Sequence, residues 1–411
     1  MIFKLYNIAI FLYGKLVQVA SLKSAKAKLW VEGRQEVFPY LEKNISKNAS
    51  IIWIHAPSMG EFEQARPLIS TIKNNLPSYQ ILVTFFSPSG YEIYKDYPFA
   101  DYVCYLPIDT KKNAQRFINI VDPCFTFFVK YDFWANYLNE LQKRNYKHYV
   151  ISAIFRSNHY FFKNYGKWML GILSKIDHFF VQNEDSKYML LTKNITQVSN
   201  VGDTRFDRVL EITQNAKKLP ILDSFKDQSP LFIAGSTWSR GEEMMIEFIK
   251  HYGSRFKYVI VPHEIRESAI KKMELQIDVE VLRWSNANAM NAKTAQVLIV
   301  DQIGLLSSMY TYANIAYIGG GFGKGIHNTL EAATFGMPIF IGPNNENFQE
   351  ANDLKALGAA IEISSAQEMI AQCDLLLTRQ NKWDELKQKS SNYVQNRVGA
   401  TDKIYQMVFQ N

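Results

Sequence analysis

Glu61 is the residue best placed for acid–base chemistry in this sequence. It lies in 53-WIHAPSMGEFEQARP-67, where an apolar strand is predicted to end near His55 and a helix to begin at Glu61 after a Pro-Ser-Met-Gly turn. The positive end of a helix favours an ionised carboxylate, which can accept a proton from an attacking hydroxyl. The spacing from Ser58 to Glu61 is also that of a capping box, in which both side chains bind backbone amides, so both interpretations stay open. Glu63, two positions further along the helix, is expected to point elsewhere.

A glycine-rich segment, 315-IAYIGGGFGKGIHNTLEAATFGMP-338, is the second candidate site. Its pattern predicts a strand, a turn with five glycines and a helix that starts near Asn328. Glycines permit positive φ and close backbone approach, and the start of a helix offers unpaired amides to a phosphate. Asn328 and Glu331 resemble a capping pair, whereas the functional interpretation gives Glu331 a hydrogen bond to a nucleotide ribose.

Two more predicted strand ends, within residues 232–243 and 259–268, carry small polar, titratable or cationic side chains. The candidates are Ser236, Thr237, Pro262, His263, Glu264 and Arg266, with the backbone of Ile303 and Gly304 before the glycine-rich strand. Such a set could bind a phosphate, although a lone histidine is more often structural.

Short apolar runs rich in β-branched and aromatic side chains are the elements that must position these residues. In the first half they are 51–56, 81–86, 102–107, 124–129, 148–155 and 178–182. After a polar stretch at 203–229 they are 231–236, 258–262, 296–300, 315–320 and 338–342. Helical patterns alternate with these runs, which predicts two parallel α/β halves. Ligands of such sheets bind beyond the carboxyl ends of the strands, so two facing domains would place the site in a cleft.

The chain has 411 residues, 47% apolar and 21% charged, which suits two domains. This composition excludes collagen-like, disordered and disulfide-scaffold proteins, and a mean hydropathy of −0.17 excludes several membrane spans. Cys104, Cys124 and Cys373 lie too far apart for a metal-binding spacing, which fits a reducing compartment. A net charge of +7 permits nucleotides, phospholipids or nucleic acid as partners without choosing among them.

The N-terminal segment 2–22 is amphipathic. Its uninterrupted apolar run, Leu5–Gly14, is ten residues long, too short to span a bilayer as a helix. On a helical wheel one arc is polar and the remainder apolar, which is typical of a helix in a membrane interface. The polar arc comprises Lys4, Asn7, Gly14, Lys15, Gln18 and Ser21. The basic residues that follow, which could meet anionic lipid, are Lys23, Lys26, Lys28 and Arg34. A helix docked on its own domain and a spanning anchor are the alternatives.

Motifs of three common chemistries are missing from the sequence. No Asp-x-Asp triplet is present to hold a divalent cation on a sugar nucleotide. Neither a P-loop nor a Gly-x-Ser-x-Gly elbow occurs. We therefore expect no metal and no cofactor, with amides and cations neutralising any phosphate.

The order of motifs along the chain resembles the 3-deoxy-D-manno-octulosonic acid (Kdo) transferases of lipopolysaccharide assembly. The motifs are HAPSMGE with ARP (55–67), TFFSPSG (84–90), YLPID (105–109), NVGDTRFD (200–207), AGST (234–237) and the glycine-rich loop with His-Asn-x-x-Glu. SMGE with ARP and NVGDTRFD are the most specific. HNTLEAATFGMP is shared more broadly among two-domain nucleotide-sugar glycosyltransferases.

This resemblance implies a GT-B architecture, with two Rossmann-like domains facing a cleft and an amphipathic, membrane-associating N-terminal helix. The implied divisions are a helix and basic segment at 1–34, an acceptor domain at 35–205, a linker at 206–228 and a nucleotide-sugar domain at 229–411. The implied reaction is an inverting transfer of Kdo from CMP-Kdo to a lipid A precursor, lipid IVA. The reaction would take place at the cytoplasmic face of the bacterial inner membrane, where anionic lipid would be a partner. No nucleic acid is expected as a partner.

By matching position, the resemblance makes Glu61 the catalytic base. The implied CMP-binding residues are Pro262, His263, Ile303, Gly304, Leu305, Asn328, Thr329, Leu330 and Glu331. Further candidates are Ser58, Gly60, Asp132, Ser236, Thr237, Arg266 and Lys324. The family commonly has Pro-Arg-His at 262–264, where this chain has Pro-His-Glu, so Arg266 or Lys324 would replace that arginine at the phosphate. It often has Glu-Thr-Glu-Leu-Trp at 130–134, where KYDFW leaves Asp132 as the nearest acidic match.

Two rival functions are also compatible with the sequence. One is a metal-independent GT-B glycosyltransferase that uses a UDP-sugar. The other is a non-catalytic membrane-surface module that has kept a nucleotide pocket, which the departures at His263 and Lys130 would allow.

Overall fold

The computed structural model describes residues 2–410, which fold into two compact units. The first unit runs to Arg208 and includes the chain again from Val398, and the second is Val209–Arg397. Within the described residues, each unit is built on one parallel sheet of seven strands. The prediction of two Rossmann-like α/β domains is therefore confirmed.

The sheet of the first unit has the strand order β3-β2-β1-β4-β5-β6-β7. The strands are β1 Ile51–Ala56, β2 Gln80–Phe85, β3 Tyr102–Tyr105, β4 Pro123–Val129, β5 Lys147–Ala153, β6 His178–Val181 and β7 Val198–Asn200. Successive residues of a strand face opposite sides of the sheet. In β1, Trp53 packs in one apolar core while Ile52 and Ile54 pack in the other. Because both faces are buried, the strands appear in the sequence as nearly continuous apolar runs.

The helices that cover this sheet connect successive strands or lie at the N terminus. They are α1 Ile2–Ala20, α2 Ala25–Gln35, α3 Val37–Asn44, α4 Met59–Asn75, α5 Pro88–Tyr94, α6 Lys111–Val121, α7 Ala135–Lys143, α8 Lys167–Leu173 and α9 Glu184–Leu191; α10 Thr204–Gln214 contains the boundary between the units. Side-chain oxygens cap the starts of α2, α5, α6 and α9. At α6, for example, Thr110 accepts from the N–H of Asn113. Caps of this kind are each worth about 1 kcal/mol.

The sheet of the second unit has the order β10-β11-β9-β8-β12-β13-β14. The strands are β8 Leu231–Thr237, β9 Lys257–Pro262, β10 Val281–Arg283, β11 Val297–Ile299, β12 Ile315–Ile318, β13 Ile339–Ile341 and β14 Ala360–Glu362. The helices are α11 Pro220–Lys226, α12 Ser239–Tyr252, α13 Glu267–Gln276, α14 Ala289–Thr294, α15 Leu306–Met309, α16 Leu330–Thr334, α17 Gln349–Ala356, α18 Ala366–Thr378 and α19 Gln380–Gln395. The last helix, α20 Ala400–Phe409, belongs to the first unit.

The domain boundaries differ from those expected. The expected linker at 206–228 is largely helical, because it contains most of α10 and all of α11. The second unit ends at residue 397 rather than 411, and the segment 1–34 is, as far as it is described, part of the first unit. Asp207 holds the returning chain, since its carboxylate accepts from the N–H groups of Gly399 (2.5 Å) and Thr401 (2.7 Å).

Helix α1 contacts the first unit along one face. The Tyr6 hydroxyl donates to the buried Asp109 (2.5 Å), and the amide of Asn136 donates to Asn7 (2.9 Å). A side chain at Gly14 would collide with the unit. Asn7 and Gly14 therefore face the protein, and grouping them with the charged residues of the helical wheel was wrong.

The opposite face of α1 is apolar and exposed. Its residues, which we call the apolar stripe, are Leu5, Ile8, Leu12, Leu16 and Val19. With 19 residues, α1 is also long and apolar enough to cross a membrane, which the ten-residue run in the sequence does not indicate. Docking on its own domain and an exposed apolar face are thus features of the same helix rather than alternatives.

Candidate active site

Glu61 lies in the first turn of α4, just beyond the carboxyl end of β1. The side chain of Ser58, the residue before this helix, caps no backbone amide; its hydroxyl donates to Oε2 of Glu61 instead. The capping-box interpretation is therefore wrong, because Ser58 holds the carboxylate rather than the helix backbone. The Glu61 side chain is 21% exposed, so a ligand can reach it.

The second carboxylate oxygen of Glu61 binds Lys130, whose Nζ lies 3.0 Å from Oε1. Lys130 directly follows β4 in a left-handed conformation (φ 64°), and its N–H donates to the backbone oxygen of Ile151 (2.9 Å). Burial acts to raise the pKa of Glu61, but the charge of Lys130 and the hydrogen bonds from Ser58 and Lys130 outweigh it, so that this pKa is lowered. Glu61 is consequently ionised at neutral pH.

The carboxylate of Asp132 is fixed by two side chains. Nε2 of His55 lies 2.9 Å from Oδ2, and Nε1 of Trp134 donates to the same oxygen at 2.8 Å. The His55 ring is fully buried, and its Nδ1 lies 2.9 Å from the hydroxyl of Thr84, the residue opposite it on β2. Sequence analysis identifies Asp132 but not this use of His55, and the signal that could have found it is a polar residue inside an apolar strand.

Glu63 points away from Glu61, as expected, and joins a separate set of ion pairs. Its Oε1 accepts from Arg66 (2.8 Å) and Tyr94, and its Oε2 accepts from Arg208 (2.8 Å). Burial acts to raise the pKa of Glu63, but the two arginines outweigh it and lower that pKa. These contacts stabilise the helix that carries Glu61.

The NVGDTRFD motif also fastens α4. The amide of Gln64 donates to Asp203 (3.0 Å), and the hydroxyl of Thr204 donates to the backbone oxygen of Gln64 (2.7 Å). Arg208, directly after the motif, holds Glu63. The motif therefore fixes the helix of Glu61 from 140 residues further along the chain.

In the second unit, close backbone packing explains several glycines of the loop that follows β12. A Cβ at Gly319 would lie 2.0 Å from the backbone oxygen of Ser236, and one at Gly321 would lie 2.7 Å from Cα of Gly342. Gly325 has φ 137°, a conformation that other residues rarely adopt. These glycines bring the ends of β8, β12 and β13 together, and a phosphate-binding role for them stays a prediction.

The helix after this loop, α16, starts at Leu330, later than predicted, and has only five residues. Asn328 accepts from the N–H of Leu330 (3.1 Å), and its amide donates to Oε1 of Glu331 (3.0 Å). The hydroxyl of Ser307 donates to Oε2 of Glu331 (2.9 Å). The structure therefore brings the start of α15 beside the predicted ribose-binding glutamate.

The other predicted CMP-binding residues of these two turns differ in exposure. Thr329 and Leu330 are buried, and the Thr329 hydroxyl has no hydrogen-bond partner in the described chain. Ile303 is 93% exposed, next to Gly304 with φ 87° and the half-buried Leu305. Ile303 and Gly304 are therefore accessible, and their contact with CMP stays a prediction.

Three side chains at the carboxyl ends of β8, β9 and β12 form what we call the ring group: Trp238, His263 and His327. His263 stacks on Trp238, with ring centroids 4.7 Å apart, and on His327 at 4.3 Å. Nε1 of Trp238 donates to Nε2 of His327 (3.0 Å). Burial, followed by the charge of His263, lowers the pKa of His327 to about 4, so this ring is neutral. Sequence analysis did not select Trp238.

The two cations expected to replace the family arginine differ in their contacts. Arg266 binds the neighbouring Glu264 (2.8 Å), which reduces its availability to a phosphate. Lys324 is exposed in the glycine-rich loop, and no acidic group of the described residues lies within ion-pair distance of it. Ser236 (φ 52°) and Thr237, whose hydroxyl donates to a glutamate of α12, end β8.

Comparison with protein families identifies a related group. Residues 32–208 match a family model described as 3-deoxy-D-manno-octulosonic-acid transferase (kdotransferase). The chain is 27% identical to the 3-deoxy-D-manno-octulosonic acid transferase of Haemophilus influenzae over 377 residues, which cover 87% of this chain and 86% of that protein. It is 27% identical to the enzyme of the same name from Rickettsia felis over 374 residues, with 87% and 79% covered.

Among solved structures, the chain is similar in fold to the UDP-GlcNAc 2-epimerase of Neisseria meningitidis bound to UDP-GlcNAc. The TM-score is 0.63 at 15% identity, with 88% of this chain and 100% of that chain covered. This similarity concerns the fold alone, which is GT-B-like. The motifs, the matched family model and the relatives aligned along most of its length show that the chain is similar to the Kdo transferases, a family of GT-B glycosyltransferases.

Proposed function

We propose that this protein transfers Kdo from CMP-Kdo to a phosphorylated, acylated lipid A precursor, lipid IVA, with inversion at the anomeric carbon. The observation that carries the proposal is the placement of Glu61. Its carboxylate is reachable, ionised and held by Ser58 and Lys130 at the carboxyl end of β1. Ligands of parallel α/β sheets bind at that end.

In the proposed reaction Glu61 is the general base. It takes the proton of an acceptor hydroxyl, whose oxygen forms a bond to the anomeric carbon of Kdo. The bond from that carbon to the phosphate oxygen breaks, and CMP leaves with the electron pair. The acceptor hydroxyl becomes more acidic as charge develops on the sugar, so a carboxylate with a lowered pKa can still serve. General-base help of this kind is worth about 10²- to 10⁴-fold.

The second unit supplies the groups that would bind CMP. The glycine-rich loop offers backbone amides and Lys324, and the ring group offers flat apolar surface next to it. Glu331, oriented by Ser307 and Asn328, would accept hydrogen bonds from the ribose. Amides and a lysine would neutralise the phosphate, as the lack of an Asp-x-Asp triplet suggests.

The apolar stripe of α1 would hold the protein at the cytoplasmic face of the inner membrane, where an acylated acceptor is found. A helix with one face on its own domain and an exposed apolar face suits an interfacial position better than a span. The lysines that follow α1 would add attraction to anionic lipid.

A single assay tests the function. The protein is incubated with CMP-Kdo and lipid IVA in the presence of EDTA, and the lipid is weighed by mass spectrometry. We expect a product heavier by one or more Kdo units, and a loss of about 10²-fold or more in Glu61→Gln with CMP affinity nearly unchanged. Glu184→Gln is the matched control, because Glu184 is also a first-turn glutamate after a strand of the same sheet.

Two results would contradict the proposal. One is the absence of product with CMP-Kdo from the intact protein. The other is loss of CMP binding in Glu61→Gln, which would give that residue a structural role. Calorimetric titration of CMP against UDP separates this function from that of a UDP-sugar transferase.

A further inference from the structure

The segment 154–167, which runs from the end of β5 to the first residue of α8 and which we call the β5–α8 segment, is strongly basic. No Asp or Glu occurs between Glu140 and Asp177. Arg156, Lys163 and Lys167 are exposed in this segment, and none has an acidic partner within ion-pair distance among residues 2–410. Other cations of the first unit, such as Arg66 and Lys130, are paired with carboxylates, whereas these three are available to an external anion.

Buried side chains and a backbone hydrogen bond hold the β5–α8 segment in place. Phe155 and Phe161 are buried in the core of the first unit, and their rings pack against each other at 5.8 Å. The N–H of Phe155 donates to the hydroxyl of Ser186 (2.9 Å). Gly166 lies so close to the backbone oxygen of Tyr160 that a Cβ would come within 1.9 Å of it. The backbone that carries the three cations is therefore fixed by packing against the first unit.

The β5–α8 segment borders the site of Glu61. The ring of His159 contacts that of Tyr131, with centroids 4.7 Å apart. Tyr131 directly follows Lys130, whose Nζ is bonded to Glu61.

The same segment also meets the helix with the apolar stripe. Trp168, the residue after the segment, contacts the rings of Phe3 (5.9 Å) and Tyr6 (5.3 Å) on α1. The cations therefore lie near the N-terminal end of α1, whose opposite face carries the apolar surface for acyl chains. A phosphorylated, acylated molecule could bind both the cations and the apolar surface, whereas a soluble nucleotide could bind only the cations.

We propose that Arg156, Lys163 and Lys167 bind the phosphate of the acylated acceptor and so bring its hydroxyl to Glu61. This inference rests on the proposed function and adds the acceptor's phosphate subsite to it. The occupant is the acceptor rather than bulk lipid, because the segment contacts the residue next to Lys130 as well as α1. Exposed Tyr160 and Tyr165 would flank the bound head group.

The test compares two variants that each lose three positive charges. The first is Arg156→Gln/Lys163→Gln/Lys167→Gln. The control is Lys47→Gln/Lys175→Gln/Lys193→Gln, whose exposed lysines precede β1, β6 and β7 and so lie toward the amino ends of the strands. Kinetics are measured in detergent micelles with lipid IVA and with its dephosphorylated form.

We expect the first variant to raise KM for lipid IVA at least tenfold, with much smaller changes in kcat and in KM for CMP-Kdo. The control should match the unaltered protein. With the dephosphorylated acceptor the first variant and the control should have equal KM. Equal KM for lipid IVA in the two variants, or an equal loss on both acceptors, would overturn the proposal.

Two further measurements separate this proposal from binding of bulk lipid and from failure of the proposed reaction. Binding to phosphatidylglycerol vesicles should be equal in both variants; loss in the first alone, with KM in micelles unchanged, would assign the segment to bulk lipid and overturn the inference. Binding of lipid IVA without donor is followed by tryptophan fluorescence. If the protein binds lipid IVA through the segment but transfers no Kdo, the proposed reaction fails while the phosphate subsite stands.

Discussion

Nζ of Lys130, the residue after β4, lies 3.0 Å from Oε1 of Glu61 in the first turn of α4. An opposite charge at this distance stabilises the ionised carboxylate. The pKa of Glu61 is lowered in spite of burial, which acts in the other direction. The proposed base is therefore ionised at lower pH than a lone buried glutamate would be.

Removing the charge of Lys130 should move the pH profile. A general base must be ionised, so activity falls as pH drops through its pKa. Lys130→Met removes the main influence that lowers the pKa of Glu61 and leaves burial, which raises it. We expect the acidic limb of kcat against pH to move to higher pH.

Lys130→Arg keeps the charge and is the control for Lys130→Met. Its acidic limb should stay close to that of the unaltered protein. An acidic limb at the same pH in the methionine variant would show that Lys130 does not set the ionisation of Glu61.

Gly60 offers a test of ligand approach next to Glu61. A Cβ at this helical position would meet no atom within 4 Å, so packing does not require glycine there. Gly60→Ala should leave stability unchanged or raise it by up to about 1 kcal/mol. If the acceptor occupies this space, the methyl group should lower kcat/KM by about tenfold to a hundredfold.

Gly171→Ala is the matched control for Gly60, because it also adds a Cβ into open space on a helix of the first unit. It should change neither stability nor kcat/KM by much. Full activity in Gly60→Ala would mean that the substrate does not approach this side of Glu61.

The interior of both sheets could be predicted because their strands are buried on both faces. Each of the eleven predicted apolar runs overlaps a strand of the structure, such as β1 and β8. The missed strands, β7, β10 and β14, have three residues each and lie at sheet edges. An edge strand of that length is defined by its hydrogen bonds to a neighbour, which an apolar run does not reveal.

The site could be predicted only where its residues follow strands. Glu61 and His263 were found in this way, since strand ends and helix starts are local features. Lys130 is 69 residues from Glu61, and Asp132 is 77 residues from His55, so these pairings depend on strand order. The contact between Gly399 and Asp207, 192 residues apart, could not be predicted for the same reason.

Asp109 should make stability depend on pH. Its buried carboxylate accepts from Tyr6 (2.5 Å) and the N–H groups of Asn136 (3.0 Å) and Tyr137 (3.1 Å). Burial nevertheless raises its pKa to about 6 from 3.8. Between pH 3.8 and about pH 6, the folded state therefore holds a proton that the unfolded state has lost. The stabilisation that this proton provides is complete below pH 4 and is lost as the pH rises to 6.

The measurement for Asp109 is urea unfolding between pH 4 and pH 7, compared with Asp109→Asn, which does not titrate. The stability of the natural protein relative to the variant should fall by an amount of the order of 3 kcal/mol between pH 4 and pH 6, then stay level. Asp96→Asn, at an exposed position, controls for the general effect of losing a carboxyl group. Parallel curves for the natural protein and Asp109→Asn would contradict the prediction.

The apolar stripe should bind membrane without stabilising the fold. In Leu5→Gln/Leu12→Gln/Leu16→Gln three exposed leucines become polar, and each buried leucine side chain is worth about 1.5–3 kcal/mol. Binding to phosphatidylglycerol vesicles should fall at least about tenfold, while the thermal midpoint stays the same because these side chains contact little of the unit. The control makes three exposed apolar residues of the second unit polar: Leu275→Gln/Met290→Gln/Leu357→Gln. Unchanged vesicle binding, or a lower thermal midpoint in the stripe variant alone, would mean that this face of α1 serves the fold rather than the membrane.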